Sequence, residues 1–393
     1  MVRWLVLRHL PRFPTVAFWC TCVYGFLVHG QLWTTDGTYT SDTAGHVQYF
    51  LHPGQGELSG YSLLHTVCGL LSAPFLPAVP NHYVVGAGVM LVVLMGAFLH
   101  SLLAVRNYWS EKYPQRHGAW VGALTISVFV VSMLLLMPLV HTGYMGVFTG
   151  NPWHNPTYNF ARVFTIVAFL SFLRLTDPDK PLAVGPRAQL FLFATAATLS
   201  AWSKPSFMIP LLPTIGFVVL LAWWRGKLAG KLAWRLVLGL VPTAVAIVVI
   251  RYFIYADPAA TNAVVLRPGY AWGTYTPSFA MSVALATAFP LFVLVVRWRS
   301  LSHVMLVATV NWLVSTAIFY LLAEAGSRAL HANFAWCYMG GLFFLFFGAI
   351  EEWFLRPATG RRWLYWLGTV LFALHLLSGG RYLWTILRGG PYL

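Results

Sequence analysis

Apolar positions in this chain come in long blocks, with polar residues gathered between them. Blocks close to the roughly 20 residues that cross a hydrocarbon core lie near 14–34, 84–104, 119–141, 158–174, 188–203, 205–224, 236–255, 277–297, 303–324, 332–350 and 363–380. The pattern predicts an all-α polytopic membrane protein with about eleven transmembrane helices (11–13), forming a single transmembrane domain over 1–393. The stretch 61–80, YSLLHTVCGLLSAPFLPAVP, is also apolar but is broken by Pro, Ser and His. It reads as a twelfth span, or as a re-entrant or amphipathic segment within the first outer loop, 33–83. No long loop resembles a separate soluble domain, and no internal repeat is visible.

Composition sharpens this picture. Hydrophobic residues make up 59% of the chain and charged residues 9%. A soluble domain carries about 25% charged residues, so this chain could not wet its own surface. The net charge of +15 is scattered in twos to fours between apolar blocks, without a basic stripe, which argues against nucleic acid as a partner. With a cytoplasmic N-terminus and 61–80 not crossing, the inside loops hold 18 of the 25 Lys and Arg, as the positive-inside rule asks. Cys20, Cys22, Cys68 and Cys337 form no CxxC pair and read as small membrane-embedded hydrophobes. The basic start, MVRWLVLRHLPRF, lacks an obvious cleavage site and is expected to lead into a retained first span.

On that topology the polar, motif-like loops all fall on the outer face. The first reads WTTDGTYTSDTAGHVQYFLHPGQGE and holds three of the ten acidic residues: Asp36, Asp42 and Glu57. A carboxylate beside the membrane is costly unless solvated or paired. Asp42 and His46, four residues apart, share a face if this part is helical, as a base and its partner would. Asp36 is a second candidate. The bland alternative is a polar loop in which Asp42 caps a helix.

The second outer loop, 142–157, contains NPWHNPT and crowds Asn151, Trp153, His154, Asn155 and Tyr158 together. Amides and imidazole suit sugar hydroxyls or phosphate oxygens, and an indole offers a flat face for a pyranose or an isoprenoid. The alternative is a stiff turn with a helix entering at Pro156 and with Trp153 as a residue of the interfacial belt. Further along, Lys204 lies in AWSKPSF, Arg267 in LRPGYAWG, and Arg328, His331 and Asn333 in GSRALHANFAW. Guanidinium and ammonium groups there suit an anionic ligand. Arg251, late in an apolar block, is a weaker candidate.

Some signals are absent from the sequence. There is no GxxxxGK[ST] loop and no HExxH. Spans carry acids only at their ends, which disfavours a proton relay. The histidines lack metal-ligand spacing, so no metal site is expected, although a divalent cation is compatible with the chemistry.

A cytoplasmic N-terminus, a first span and then an outer loop bearing an Asp resemble the GT-C superfamily of membrane glycosyltransferases. The likeness rests on YTSDTAGHVQYF after the first span; here Thr43, not a second acid, follows Asp42. The run NPWHNPTYNFARVF is similar to one in bacterial polysaccharide-cluster membrane proteins. The resemblance implies an inverting enzyme of the bacterial plasma (inner) membrane. It would move a sugar from a polyprenyl-phosphate carrier to a glycan or lipid-linked acceptor on the outer face, with Asp42 as general base. Lys204, Arg267 or Arg328 would hold the carrier phosphate, and membrane lipid would surround the whole. An O-antigen-type polymerase or ligase is an alternative, but such enzymes usually have a large late outer loop, and 256–276 is short. A polar-lipid transporter or flippase would show inverted repeats and helix breaks near the midplane, and the sequence displays neither.

Overall fold

The apolar blocks fold into helices, and burial sorts those helices into layers. The structure, a computed structural model, describes residues 13–34, 41–53, 62–134, 148–177, 185–255, 263–276, 278–329, 331–357 and 361–390. In chain order the helices are α1 (Phe13–Trp33), α2 (Thr43–Leu51), α3 (Leu63–Ser72), α4 (His82–Lys112), α5 (Gly118–Val130), α6 (Pro156–Thr176), α7 (Pro186–Ser203) and α8 (Met208–Trp224). There follow α9 (Gly230–Gly239), α10 (Val241–Tyr255), α11 (Tyr270–Tyr275), α12 (Phe279–Arg297), α13 (His303–Leu321), α14 (Ala335–Ile350) and α15 (Arg362–Leu387). Two three-residue strands, β1 (Val264–Leu266) and β2 (Leu322–Glu324), pair antiparallel with Val264 opposite Glu324.

Among the described residues nine helical segments are long and apolar enough to cross a membrane. They coincide with nine of the eleven expected blocks. The other two blocks are also helical but differ. Helix α7 is diluted by Arg187, Gln189 and its Ser and Thr residues, and α5 stops after 13 residues. The ambiguous stretch 61–80 contains α3 and a short 3-10 turn, Leu76–Ala78. Ten residues of helix reach only about 15 Å, half the hydrocarbon thickness. Residues 1–12, Asp36, Glu57, Asp257 and 135–147 lie outside the described residues.

Two helices form the centre. The segment Ala335–Leu355 is wholly buried and α6 is 83% buried, whereas the other candidate spans are 28–44% buried. Their contact is aromatic: Phe169 of α6 lies 4.2 Å from Phe344 of α14, ring centre to ring centre. Helix α14 reads AWCYMGGLFFLFFGAI, apolar on every side, which is the composition of a helix surrounded by others. Gly341 lets α13 come close, since a Cβ there would meet the Ser315 hydroxyl at 2.6 Å.

Helix α5 breaks where the sequence predicts a continuous span. After Val130 the chain runs extended through Leu134, and Val131–Met133 are buried. Non-helical backbone is tolerated inside a membrane protein only where protein supplies its hydrogen bonds. Here Ser132 N donates to His375 O at 3.3 Å and Leu134 N to Leu285 O at 2.9 Å. His375, near the middle of α15, donates Nδ1–H to Ser132 O at 2.6 Å and accepts from Phe289 N at Nε2. The side-chain amide of Asn151 donates to the carbonyls of Val128 and Val131, both at 2.9 Å. A side chain at Gly379 would collide with Val130 O.

At the opposite end of α14 the helix widens into a π turn, Glu351–Leu355, whose two carboxylates are buried. Glu351 accepts from Trp109 Nε1 (2.9 Å), Lys112 Nζ (2.9 Å) and Tyr113 OH (3.0 Å). Glu352 accepts from Ser302 N (3.0 Å) and Arg356 Nη1 (2.5 Å). These bonds tie the ends of α4, α13 and α14 together.

Candidate functional site

The segment before α6 and the start of α2 meet at one end of the molecule, and Asn155 is the joint. Its Oδ1 caps α6 by accepting from Tyr158 N (2.8 Å) and also accepts from Thr157 Oγ1 (2.8 Å). Pro156 at the first helical position suits that start. Because Oδ1 is committed to the helix, the amide cannot flip, and Nδ2 must face outward. It donates to Asp42 Oδ2 at 2.6 Å. Asp42 therefore accepts and does not donate at this oxygen, as an ionised carboxylate does.

Asp42 occupies the N-cap position of α2 yet makes no side-chain capping bond. Ser41 does that work: its Oγ accepts from Thr43 N at 3.1 Å and donates to His154 O at 2.7 Å. The carboxylate is thus released toward the site. Its side chain is 45% accessible although protein surrounds it. Burial pushes its pKa up, but the hydrogen bond and charge of His46, with the charges of His154 and Lys204, outweigh that and hold it below the ordinary carboxylate value.

His46 Nε2 lies 3.5 Å from Asp42 Oδ2, the i, i+4 pairing expected of a helix. Its Nδ1 is 2.8 Å from His65 Nε2. His65 Nδ1 is buried without a hydrogen-bond partner, and a bare nitrogen there is the cheaper tautomer. His65 then donates Nε2–H to His46 Nδ1, which leaves His46 Nε2–H facing Asp42. Burial, with the nearby His46 charge, lowers the His65 pKa to about 3 and keeps it neutral.

Lys204 follows the last residue of α7, and Pro205 opens the next turn. Its Nζ donates to Asn155 Oδ1 (3.2 Å) and Thr157 Oγ1 (3.3 Å) and sits 4.3 Å above the Trp336 ring. Asn155 therefore touches both the carboxylate and the ammonium. Burial lowers the Lys204 pKa to about 8; Asp42 and Cys337 oppose the shift, and the Arg328 charge adds to it. Burial also lowers His154 to about 4, against the pull of Asp42, so the imidazole is neutral near pH 7.

Lys204 also lines an adjoining cavity of about 160 Å³, together with Arg251, Arg328, Glu324 and Asn333. Ile209, Ile247, Ile250 and Phe334 supply its apolar wall. Arg328 Nε pairs with Glu324 at 3.1 Å, and Asn333 donates to the same carboxylate. The strand pairing carries Val264 and Glu324 to this wall.

The structure thus brings together Asp42, His46, His154, Asn155 and Lys204, with Arg328 in the neighbouring cavity. It separates others from them. Trp153 is 4% exposed, packed near Tyr24 and Phe98 with Arg162 over its ring, and has no face to offer a sugar. Asn151 holds the broken end of α5 and accepts from Arg162 Nη1 at 2.8 Å. Tyr158 is buried with its hydroxyl on Gly150 O. Arg267 stacks on Tyr270 at 3.7 Å, and neither it nor exposed His331 lines the cavity. Asp36 lies outside the described residues. His65, Thr157 and Trp336 were not singled out from sequence. Among the described residues no group of three or more His, Cys, Asp or Glu is placed to hold a metal ion. Comparison with family models, with curated proteins and with solved structures finds no match.

Proposed function

We propose that the protein is a glycosyltransferase using a lipid-linked sugar donor. The observation that carries this reading is the Asn155 amide, which holds an accessible, ionised Asp42 beside the Lys204 ammonium. A base and a cation bridged by one rigid group suit a displacement in which a proton leaves one side and negative charge grows on the other. Asp42 takes the proton of the acceptor hydroxyl while that oxygen attacks the anomeric carbon, and inversion follows. The bond from that carbon to the phosphate oxygen breaks, and the polyprenyl phosphate leaves with the electron pair. Lys204 and Arg328 stabilise the growing charge, and Ile209, Ile247 and Ile250 give the isoprenoid an apolar wall. His46, donating to Asp42, orients the carboxylate. No step needs a metal.

On this reading the site faces outward from a bacterial plasma membrane, where a glycan or lipid-linked acceptor would meet it; the basic loops at the opposite end support that orientation. The test is transfer of radiolabelled sugar from a polyprenyl-phosphate donor in proteoliposomes. The wild-type chain should form a glycoside, and Asp42→Asn should abolish it with expression and thermal unfolding unchanged. Full transfer by that variant removes Asp42 from the reaction.

A polar-lipid transporter is the second reading, favoured by the non-helical, buried stretch Val131–Met133 at the break of α5. Such a protein would move its lipid between leaflets and form no glycosidic bond, so the same assay separates the two.

A further inference from the structure

A second cavity lies at the other end of the molecule. Helix α6 runs from Asn155 at the candidate site to Thr176, about 30 Å away, and Thr176 lines this second space of about 250 Å³. Helix α8 makes the same crossing, from just after Lys204 to Arg225. The cavity opens between the ends of α8 and α13. Its walls are Phe217, Leu221 and Leu306, and its polar rim is Arg225 and Lys227.

We propose that this cavity holds the headgroup of an anionic phospholipid, with the phosphate on Arg225 and Lys227 and an acyl chain along Phe217, Leu221 and Leu306. Three observations favour a lipid over a soluble anion. Phe217 is 54% and Leu306 39% exposed on the outer surface of candidate spans, so the space opens sideways where acyl chains run. Trp223, Trp224 and Trp234 are all exposed nearby, the arrangement that marks headgroup level. The two cations have no carboxylate partner among the described residues, and no carboxylate lines the cavity. At the same end Lys112, Arg174 and Arg356 are each paired with an acid.

A tight turn presents these cations. Gly226 adopts φ +66°, and Lys227 N and Leu228 N both return to Ala222 O. That left-handed step ends α8 and brings Arg225 and Lys227 to one rim. Behind them His303 Nε2 and Thr176 Oγ1 lie 2.8 Å apart, a polar back wall suited to glycerol and ester oxygens. Basic pockets between helices are a known solution for anionic headgroups.

This inference is independent of the Asp42 reading. Native mass spectrometry of the full chain, titrated with phosphatidylglycerol or phosphatidylcholine, tests it. Phosphatidylglycerol should bind more tightly. Arg225→Ala and Lys227→Ala should each weaken it about fivefold without changing phosphatidylcholine binding, and both positions are exposed enough to tolerate alanine. Inorganic phosphate at equal concentration should not displace the lipid. Equal affinity for the two lipids overturns the proposal, as does unchanged binding in the double variant. So does full displacement by phosphate, or an equal loss in Lys231→Ala/Arg235→Ala, whose side chains lie outside the cavity.

Discussion

The two ends of α14 hold carboxylates in opposite conditions. At one end Glu351 and Glu352 are fully buried, and their bonds to Lys112, Trp109, Tyr113, Arg356 and Ser302 N give every carboxylate oxygen a donor. At the other end Asp42 is accessible, accepts one short bond from Asn155 and lies within reach of the Lys204 charge. A saturated buried acid locks helices together, and removing its partner leaves an uncompensated charge. An unsaturated accessible acid has room for a substrate hydroxyl. The same residue types therefore teach different things, and accessibility together with the donors each oxygen receives decides which.

The sharpest way to break this comparison is to exchange charge for amide at both ends. Asp42→Asn should lower transfer by about 10³-fold while thermal unfolding stays within about 0.5 kcal/mol of the parent. Glu351→Gln should do the reverse: about 3–5 kcal/mol of stability lost, with transfer per folded molecule unchanged. A stability loss at Asp42 or a specific activity loss at Glu351 would collapse the distinction.

A smaller effect follows from Lys204. Its ammonium is the form that holds an anion, and its pKa lies at about 8. The depressed value means that the charge is present below pH 8 and is lost as pH rises through it. Carrier affinity should accordingly fall by up to tenfold per pH unit above 8, and Lys204→Arg should push that limb upward. A flat profile to pH 10 would show that Lys204 does not contact the carrier. Arg328→Ala should have the smallest effect on carrier affinity, about tenfold, because Glu324 already offsets part of its charge. An equal loss for carrier and acceptor would mark Arg328 as structural.

Local features of the site could be read from the sequence because local spacing encodes them. His46 follows Asp42 by four residues, and the structure keeps them 3.5 Å apart. Asn155-Pro156 announces a helix start, and a helix starts there. Likewise nine apolar blocks became helices long enough to cross. What stayed hidden depends on pairings between distant segments. His65 reaches His46 across 19 residues, and Trp336 meets Lys204 only through packing of α14. Trp153 and Asn151 sit in a loop that composition reads as a ligand surface. The break of α5 draws that loop inward, because the carbonyls of Val128 and Val131 need a donor and Asn151 supplies it.

That break also constrains how the protein is made. The peptide groups of Ser132 and Leu134 find their partners on His375 and Leu285, residues that leave the ribosome far later. Until α12 and α15 arrive, the amino-terminal half carries bare backbone in an apolar medium. Biogenesis must then shelter this stretch in the translocation machinery or in water, and the last helix works as a clasp that completes the first half of the bundle.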